Sequence, residues 1–243
     1  MKLVLEFVTD KNIFPIEYRR TCIHFLKECL NNANDGKYYE DYYGGTNTKS
    51  FTFAVFFDKP SFGENCIELS SNRVKMLFST SDKLTGLIFY SSFIEKKNKN
   101  IMLSNDNSMK LQYITKVAEP TIKSDKILVK MNSPLIIRNH NRELNKDYYY
   151  AYDQEAFEKE AIRTIRHQLE NQGFGDKFLE GLKITPIKCK KVIVKHYRCK
   201  IEGSLGNFLI EGHPAILNYL LQSGIGSRKS EGFGMFELLT DEV

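Results

Sequence analysis

The sequence predicts an α+β fold: two tandem ferredoxin-like (βαββαβ) domains with a C-terminal glycine-rich loop. Three observations predict it. Hydrophobic periodicity over the first 117 residues gives the order strand, helix, strands, helix, strand. The same order returns after a polar, proline-bearing stretch, "EPTIKSD", at 119–125. Finally, four glycines at 224, 226, 232 and 234 separate the last helical pattern from a closing strand-like run. The boundary is placed so that residues 1–120 form one domain and 121–243 the other.

Residues 2–8 alternate as a strand. Residues 16–33 read as a helix, with Cys22, Leu26, Cys29, Leu30 and Ala33 on one face and His24, Lys27, Glu28 and Asn31 away from it. It stops at the turn cluster "NNANDG". The next stretch, "KYYEDYYGGTNTK", is too polar and glycine-broken for an element interior. "SFTFAVFF", "CIELSS" and "RVKMLFST" read as strands. Ser81 is the expected N-cap of a helix over 82–94. "EKKNKN" reads as a loop and "MKLQYITKV" as a strand.

In the second domain "KILVKM" is a strand. A helix opens at Asp153 or Gln154 and runs to about residue 171, with Phe157, Ala161, Ile165 and Leu169 on one face. "KKVIVKHYRCKI" reads as one long strand and "GNFLIEG" as another. "HPAILNYLLQSG" is a helix, with Pro214 near its first turn and Gly224 just past its end. "FGMFELL" is the last strand.

Apolar residues make up 42% of the 243 and charged residues 27%, ordinary values for a soluble globular chain. No window of about 20 apolar residues suggests a membrane span. "MKLVLEFVTD" is too short and too soon acidic for a secretory signal, so a cytoplasmic protein is expected. The five cysteines are odd in number and no pair has C-x-x-C spacing. Reduced thiols are therefore expected, without disulfides, metal or cofactor.

Net charge is +5, and its distribution is uneven. Between 183 and 200 stand Lys183, Lys188, Lys190, Lys191, Lys195, Arg198 and Lys200, with no acid among them. Such a segment attracts a polyanion, RNA or DNA. The other reading is a strand edge kept soluble by lysines.

The glycines of "GIGSRKSEGFGMFEL" form G-x-G-x5-G-x-G. Glycine permits positive φ and close backbone approach to a ligand. Free amides there, with Arg228 and Lys229 beside them, suit phosphate. A dinucleotide fingerprint lies after a strand and before a helix, the reverse of this context, and no G-K-[ST] follows for a Walker A loop. A C-cap glycine followed by a bulge is the structural alternative.

The stretch closely resembles the glycine-rich signature of the CRISPR-associated repeat-cleaving endoribonucleases of the RAMP superfamily. "GNFLIEGHPAILNYLLQS" resembles that family's lead-in, "KSFTFAVFF" at 49–57 its N-terminal strand motif, and "SPLIIRN" at 133–139 the start of its second domain. The resemblance covers nearly the whole chain. It implies binding of CRISPR precursor RNA and one metal-independent cut per repeat. A ribose 2′-hydroxyl attacks its own 3′-phosphate, leaving a 2′,3′-cyclic phosphate and a 5′-hydroxyl.

Family members often carry a histidine six residues before the lysine of the strand motif. Lys49 matches that lysine, and the position six before it is Tyr43. Three readings follow. Tyr43 acts directly, although a phenol with an ordinary pKa of about 10 is a poor base. Alternatively His24, on the polar side of the first helix, is the base. Or lysines and in-line positioning do the work with no general base. Lys49 is the candidate for stabilising charge on the phosphate. Tyr38, Tyr39 and Tyr42 either stack on bases or cover the core.

For RNA binding the candidates are Gly224, Gly226, Ser227, Arg228, Lys229, Ser230, Gly232, Phe233 and Gly234, together with Lys190, Lys191, Lys195 and Arg198. Of the other histidines, His140 is expected in a polar loop, His167 facing out from a helix, His196 in the basic strand within reach of RNA, and His213 at a helix start. The partner is CRISPR repeat RNA, with other effector-complex subunits and a second copy of the chain left open. The absent histidine at 43 also motivates a non-catalytic RNA-binding subunit of the same superfamily. A phosphate-binding metabolic protein is the unrelated alternative.

Overall fold

Alternation in β1 (Lys2–Thr9) sends Leu3, Leu5, Phe7 and Thr9 to one face, and all four are buried. The computed structural model of the chain describes residues 1–33, 36–45, 49–170, 172–197 and 199–242. It divides into two compact units, Met1–Ala118 and Glu119–Val243.

In the first unit β1 is followed by β2 (Ile13–Pro15), α1 (Tyr18–Asn32), α2 (Lys37–Tyr43), β3 (Phe51–Phe57), β4 (Ser61–Phe62), β5 (Cys66–Glu68), β6 (Arg73–Thr80), α3 (Lys83–Lys96), β7 (Asn100–Leu103) and β8 (Asn107–Val117). The main sheet has the order β3-β6-β1-β8-β7 and is antiparallel throughout. Its four long strands stand second, third, first, fourth, the ferredoxin-like arrangement. β7 extends the edge as a hairpin with β8, and β2, β5 and β4 form a separate small sheet. The core is aromatic. Phe25 of α1 stacks on Phe93 of α3, and Phe89 packs against Phe51 and Phe78 of the sheet. Burial pushes the Cys22 thiol up to about 12, so it is packing material.

The second unit runs β9 (Lys126–Met131), β10 (Arg138–Asn141), β11 (Lys146–Tyr149), α4 (Phe157–Leu169), α5 (Asp176–Leu179), β12 (Lys183–His196), β13 (Cys199–Glu211), α6 (Pro214–Ser223), a single 3-10 turn (Lys229–Glu231) and β14 (Phe236–Thr240). Its sheet order, β12-β13-β9-β14, is again second, third, first, fourth. Ile127, Val129, Phe208 and Ile210 of the sheet meet Phe157, Ala161 and Ile165 of α4 and Ile216, Leu217 and Leu220 of α6. Among the described residues no helix is long and apolar enough to cross a membrane.

Several elements depart from the sequence expectation. Residues 37–43 are helical, not irregular. Gly36 opens this turn at φ +79°, and Tyr38, Tyr39, Tyr42 and Tyr43 pack their rings on the unit's core. Polar composition concealed an element held by its aromatic rings. Asp82, not Ser81, caps α3: its carboxylate accepts from the amides of Thr85 at 2.8 Å and Leu84 at 3.4 Å. The stretch expected as one strand over 190–201 is a hairpin. It turns at Tyr197, whose φ is +47°, and closes on the pair His196 and Cys199. No glycine or proline stands at that turn, so its residue types do not announce it. His140 lies in β10, not in a loop. The short strands β2, β4, β7, β10 and β11 were not anticipated.

Candidate nucleic-acid interface

The polar face of α1 and the start of β3 meet at α2. Tyr43, the last residue of α2, has two ammonium groups near its ring. Lys27 Nζ is 4.9 Å from its ring centroid and Lys49 Nζ 5.7 Å. Lys49 Nζ also donates to the Gly45 carbonyl at 3.4 Å. The Tyr43 hydroxyl oxygen is buried, so it faces the protein and not a ligand. That departs from the reading in which Tyr43 acts directly on RNA. Tyr39 packs its ring against Tyr43 at 5.7 Å. Tyr42 belongs to the core: its ring meets Phe51 and Phe89, and its hydroxyl bonds Thr85 Oγ1 at 2.5 Å.

His24 stands one turn before Lys27 on α1, and residues three apart are neighbours on a helix surface. Its side chain is 68% exposed, and its Nε2 lies 3.2 Å from Glu28 Oε1. The other oxygen of Glu28 pairs with Lys96 Nζ at 3.3 Å. A carboxylate thus orients the imidazole through its Nε2. Lys27 was not singled out from sequence. Its spacing from His24 was visible, but its approach to Tyr43 depends on the unexpected helix α2.

The basic segment forms most of the β12–β13 hairpin. Lys190 and Lys195 are exposed, while Lys191 pairs with Glu202 across the strands at 2.7 Å. Strand alternation divides the bases between two faces. Lys191 and Lys195 share one face with the exposed Ile193 and, across the register, Lys200. Lys188 and Lys190 take the other. Arg198 lies outside the described residues. His196, expected near RNA, is 3% exposed, and its Nε2 is 2.6 Å from Glu231 Oε2. Its ring packs on Phe233, so it is a structural residue.

The glycine loop is folded onto its own unit. Gly224, Gly226, Gly232 and Gly234 all have φ between +70° and +88°. The amides of its four glycines are all bonded within the unit. Gly224 N–H donates to Leu220, Ile225 to Gly234, Ser227 to Ile136 and Gly234 to Pro134, all at 2.8–2.9 Å. The Gly226 amide reaches Gln168 Oε1 of α4 at 3.2 Å, and Gln168 Nε2 donates back to the Gly224 carbonyl at 2.8 Å. For the glycines the expectation of free amides for phosphate is therefore corrected: these donors hold the loop together. The glycines are needed because backbone meets backbone. A Cβ on Gly234 would lie 2.0 Å from the Ile225 carbonyl oxygen, at a φ of +70°. Gly234→Ala is expected to destabilise the protein by about 3 kcal/mol, read as a fall in the denaturant midpoint with unchanged slope.

The two basic residues of the loop also face inward. Arg228 donates to Glu231 at 3.1 Å, Tyr149 Oη at 3.2 Å and Asp147 at 3.4 Å. Asp147 further accepts from Arg138 at 3.2 Å and Tyr149 at 3.1 Å, and lies 2.8 Å from His140 Nδ1. Burial raises the Asp147 pKa, but His140 and Arg138 outweigh it and hold the carboxyl below its usual range. Glu231 behaves alike, with His196 and Arg228 overcoming burial. Lys229 is 4% exposed, and its Nζ has no hydrogen-bond partner among the described residues. It points toward the Tyr219 ring, 5.9 Å from the centroid. Burial pushes its pKa down to about 7. Lys229 was expected at a phosphate, and the structure places it in the interior instead. Of the loop's other candidates, Ser227 and Ser230 are half-buried, while Gly232 and Phe233 are buried.

Fold and loop together define a tandem ferredoxin-like protein closed by a glycine-rich loop. The sequence model of the family described as CRISPR associated protein Cas6, C-terminal, matches residues 117–238, half of the chain. The protein belongs to that family. Solved structures agree on the fold. A Cas6-related protein from Pyrococcus furiosus superposes with a TM-score of 0.85 at 18% identity, covering 100% of this chain and 99% of that one. A RAMP protein described as binding different RNA substrates gives 0.82 at 20%, covering 99% and 100%. A Cas6 product complex gives 0.72 at 14%, covering 98% and 99%. No curated protein matches the sequence.

Proposed function

We propose that this protein binds CRISPR repeat RNA and cleaves it once per repeat. Family membership supports the substrate, and solved relatives include Cas6 product and substrate-mimic complexes. The cluster of Lys27, Tyr43 and Lys49 is the single observation that carries the reading. In the proposed reaction the 2′-oxygen attacks the adjacent phosphorus and the bond to the 5′-oxygen breaks. A 2′,3′-cyclic phosphate and a 5′-hydroxyl result. Charge grows on the non-bridging oxygens, where Lys27 and Lys49 supply opposite charge. Tyr43 acts as the spacer that fixes the two ammoniums. His24, oriented by Glu28, takes the 2′-proton, and solvent water protonates the leaving 5′-oxygen. Lys191, Ile193 and Lys195 offer phosphate and base contacts on one hairpin face.

The test is incubation with repeat RNA in excess EDTA, beside the same RNA carrying a 2′-deoxy sugar at the cut. A single cut, abolished by the deoxy sugar and leaving a cyclic phosphate, is expected. Tight binding without cleavage would replace this reading with a non-catalytic RNA-binding subunit, which tyrosine at position 43 favours.

A further inference from the structure

The turn Lys229–Glu231 lies at the surface, yet its lysine points inward. Ser227, Arg228, Ser230 and Glu231 are half-buried, whereas Lys229 is 4% exposed. Its Nζ has no hydrogen-bond partner among the described residues. It faces the ring of Tyr219, 5.9 Å away, which Phe174 meets edge-on from α6's other neighbourhood. An ammonium in such surroundings costs stability that the fold has no use for, since methionine would fill the same space. Breaks of this kind concentrate at functional positions. The turn also adjoins the basic hairpin. Glu231 is held by His196 of β12 at 2.6 Å, and the residues beside that pair, Lys195 and Lys200, are exposed and opposed across the strands.

We propose that Lys229 turns out of the interior when RNA is bound, that its ammonium pairs with a phosphate, and that RNA binding thereby takes up a proton. This rests on the reading that the protein binds repeat RNA. The backbone can stay in place. Arg228 and Gly232 bracket the turn at φ +57° and +85°. The charged and titratable groups around it, Arg228, Glu231, His196, Asp147 and Tyr149, bond one another and pin it. A lysine stem of four methylenes reaches the surface by rotation about its own bonds. One side chain then has two states, packed on Tyr219 or paired outside, and a polyanion biases them because it attracts only the second. In the first state burial pushes the amine's pKa down to about 7. In the second, a neighbouring phosphate keeps it protonated. Above pH 7 the packed state has therefore released a proton that the RNA-bound state holds. The affinity that Lys229 contributes falls as pH rises through this range.

The test is isothermal titration calorimetry with repeat RNA carrying a 2′-deoxy sugar at the cut, at pH 8, in buffers of different ionisation enthalpy. The dependence of heat on buffer counts the protons exchanged. The parent protein is expected to take up about one proton more than Lys229→Met. Between pH 7 and pH 8.5 its affinity is expected to fall about tenfold more than that of the variant. Comparing the two removes the titration of histidines and bases common to both, and far-UV circular dichroism checks the fold. An equal proton count, with RNA bound by both proteins, would overturn the proposal and leave RNA binding intact. Failure of the parent to bind RNA would overturn both. Inorganic phosphate in place of RNA is expected to produce no such uptake. Uptake there would make the turn a small-anion site and overturn its assignment to RNA.

Discussion

Lys229→Met is expected to raise the melting temperature of this protein at pH 7 and below, and the gain is expected to vanish as pH rises. Lys229 carries its ammonium into the interior, 4% exposed and without a hydrogen-bond partner among the described residues. The ring of Tyr219, at 5.9 Å, is weak compensation at that distance. The folded pKa of about 7 lies below that of an unfolded lysine. Between the two values the unfolded chain binds the proton that the folded chain has released. Stability attributable to this group therefore increases with pH from about 7 to about 10.4. Below the folded value both states are charged, and the full penalty, about 5 kcal/mol, is present. Methionine has similar length and no charge, so the variant removes the penalty at every pH. The measurement is the difference in melting temperature between variant and parent across pH 6–10. A difference that starts positive and falls toward zero is expected. A negative difference at pH 6 would show that the ammonium finds a partner after all.

Lys49→Ala is expected to slow single-turnover cleavage of repeat RNA by about 10²–10³-fold while changing RNA affinity far less. An ammonium aimed at a developing phosphorane acts on the transition state, whereas one phosphate contact among many is a small part of binding. Lys27→Ala is expected to fall in the same range, since both lysines flank the Tyr43 ring. The double variant should lose less than the product of the single losses, because groups that act as a unit are not additive. Tyr43→Phe keeps the ring and removes only a buried hydroxyl, so it should retain most activity. A large loss in Tyr43→Phe, with little in Lys27→Ala, would return the chemistry to the phenol.

The fold class was legible because two periodicities, of 2 and 3.6, run cleanly through the long elements. β9 is bounded as "KILVKM" suggests, and α6 begins at its proline and ends at its glycine. What failed was local. The helix α2 is written in tyrosines and acids, and only their packing on the core makes it helical. The β12–β13 turn has no glycine or proline to announce it. At the candidate site, Lys49 was legible from its motif, but Lys27 was not, because its role depends on where α2 sets Tyr43. The loop misled most. Glycines and bases side by side suggest a phosphate cradle, yet the glycine amides bond carbonyls and Gln168, and Arg228 bonds Asp147, Tyr149 and Glu231. Sequence shows which groups are near one another along the chain and not which of them are already partnered.

The closing of the glycine loop upon Ile136, Gln168 and Pro134 has a consequence for how such chains are recognised. A motif whose glycines are demanded by backbone crowding will persist wherever the architecture persists, whether or not the protein cuts RNA. Its presence in a new sequence reports a way of folding. The ammonium groups at 27 and 49 are under no such demand, and they are where active and inactive members of the family should diverge.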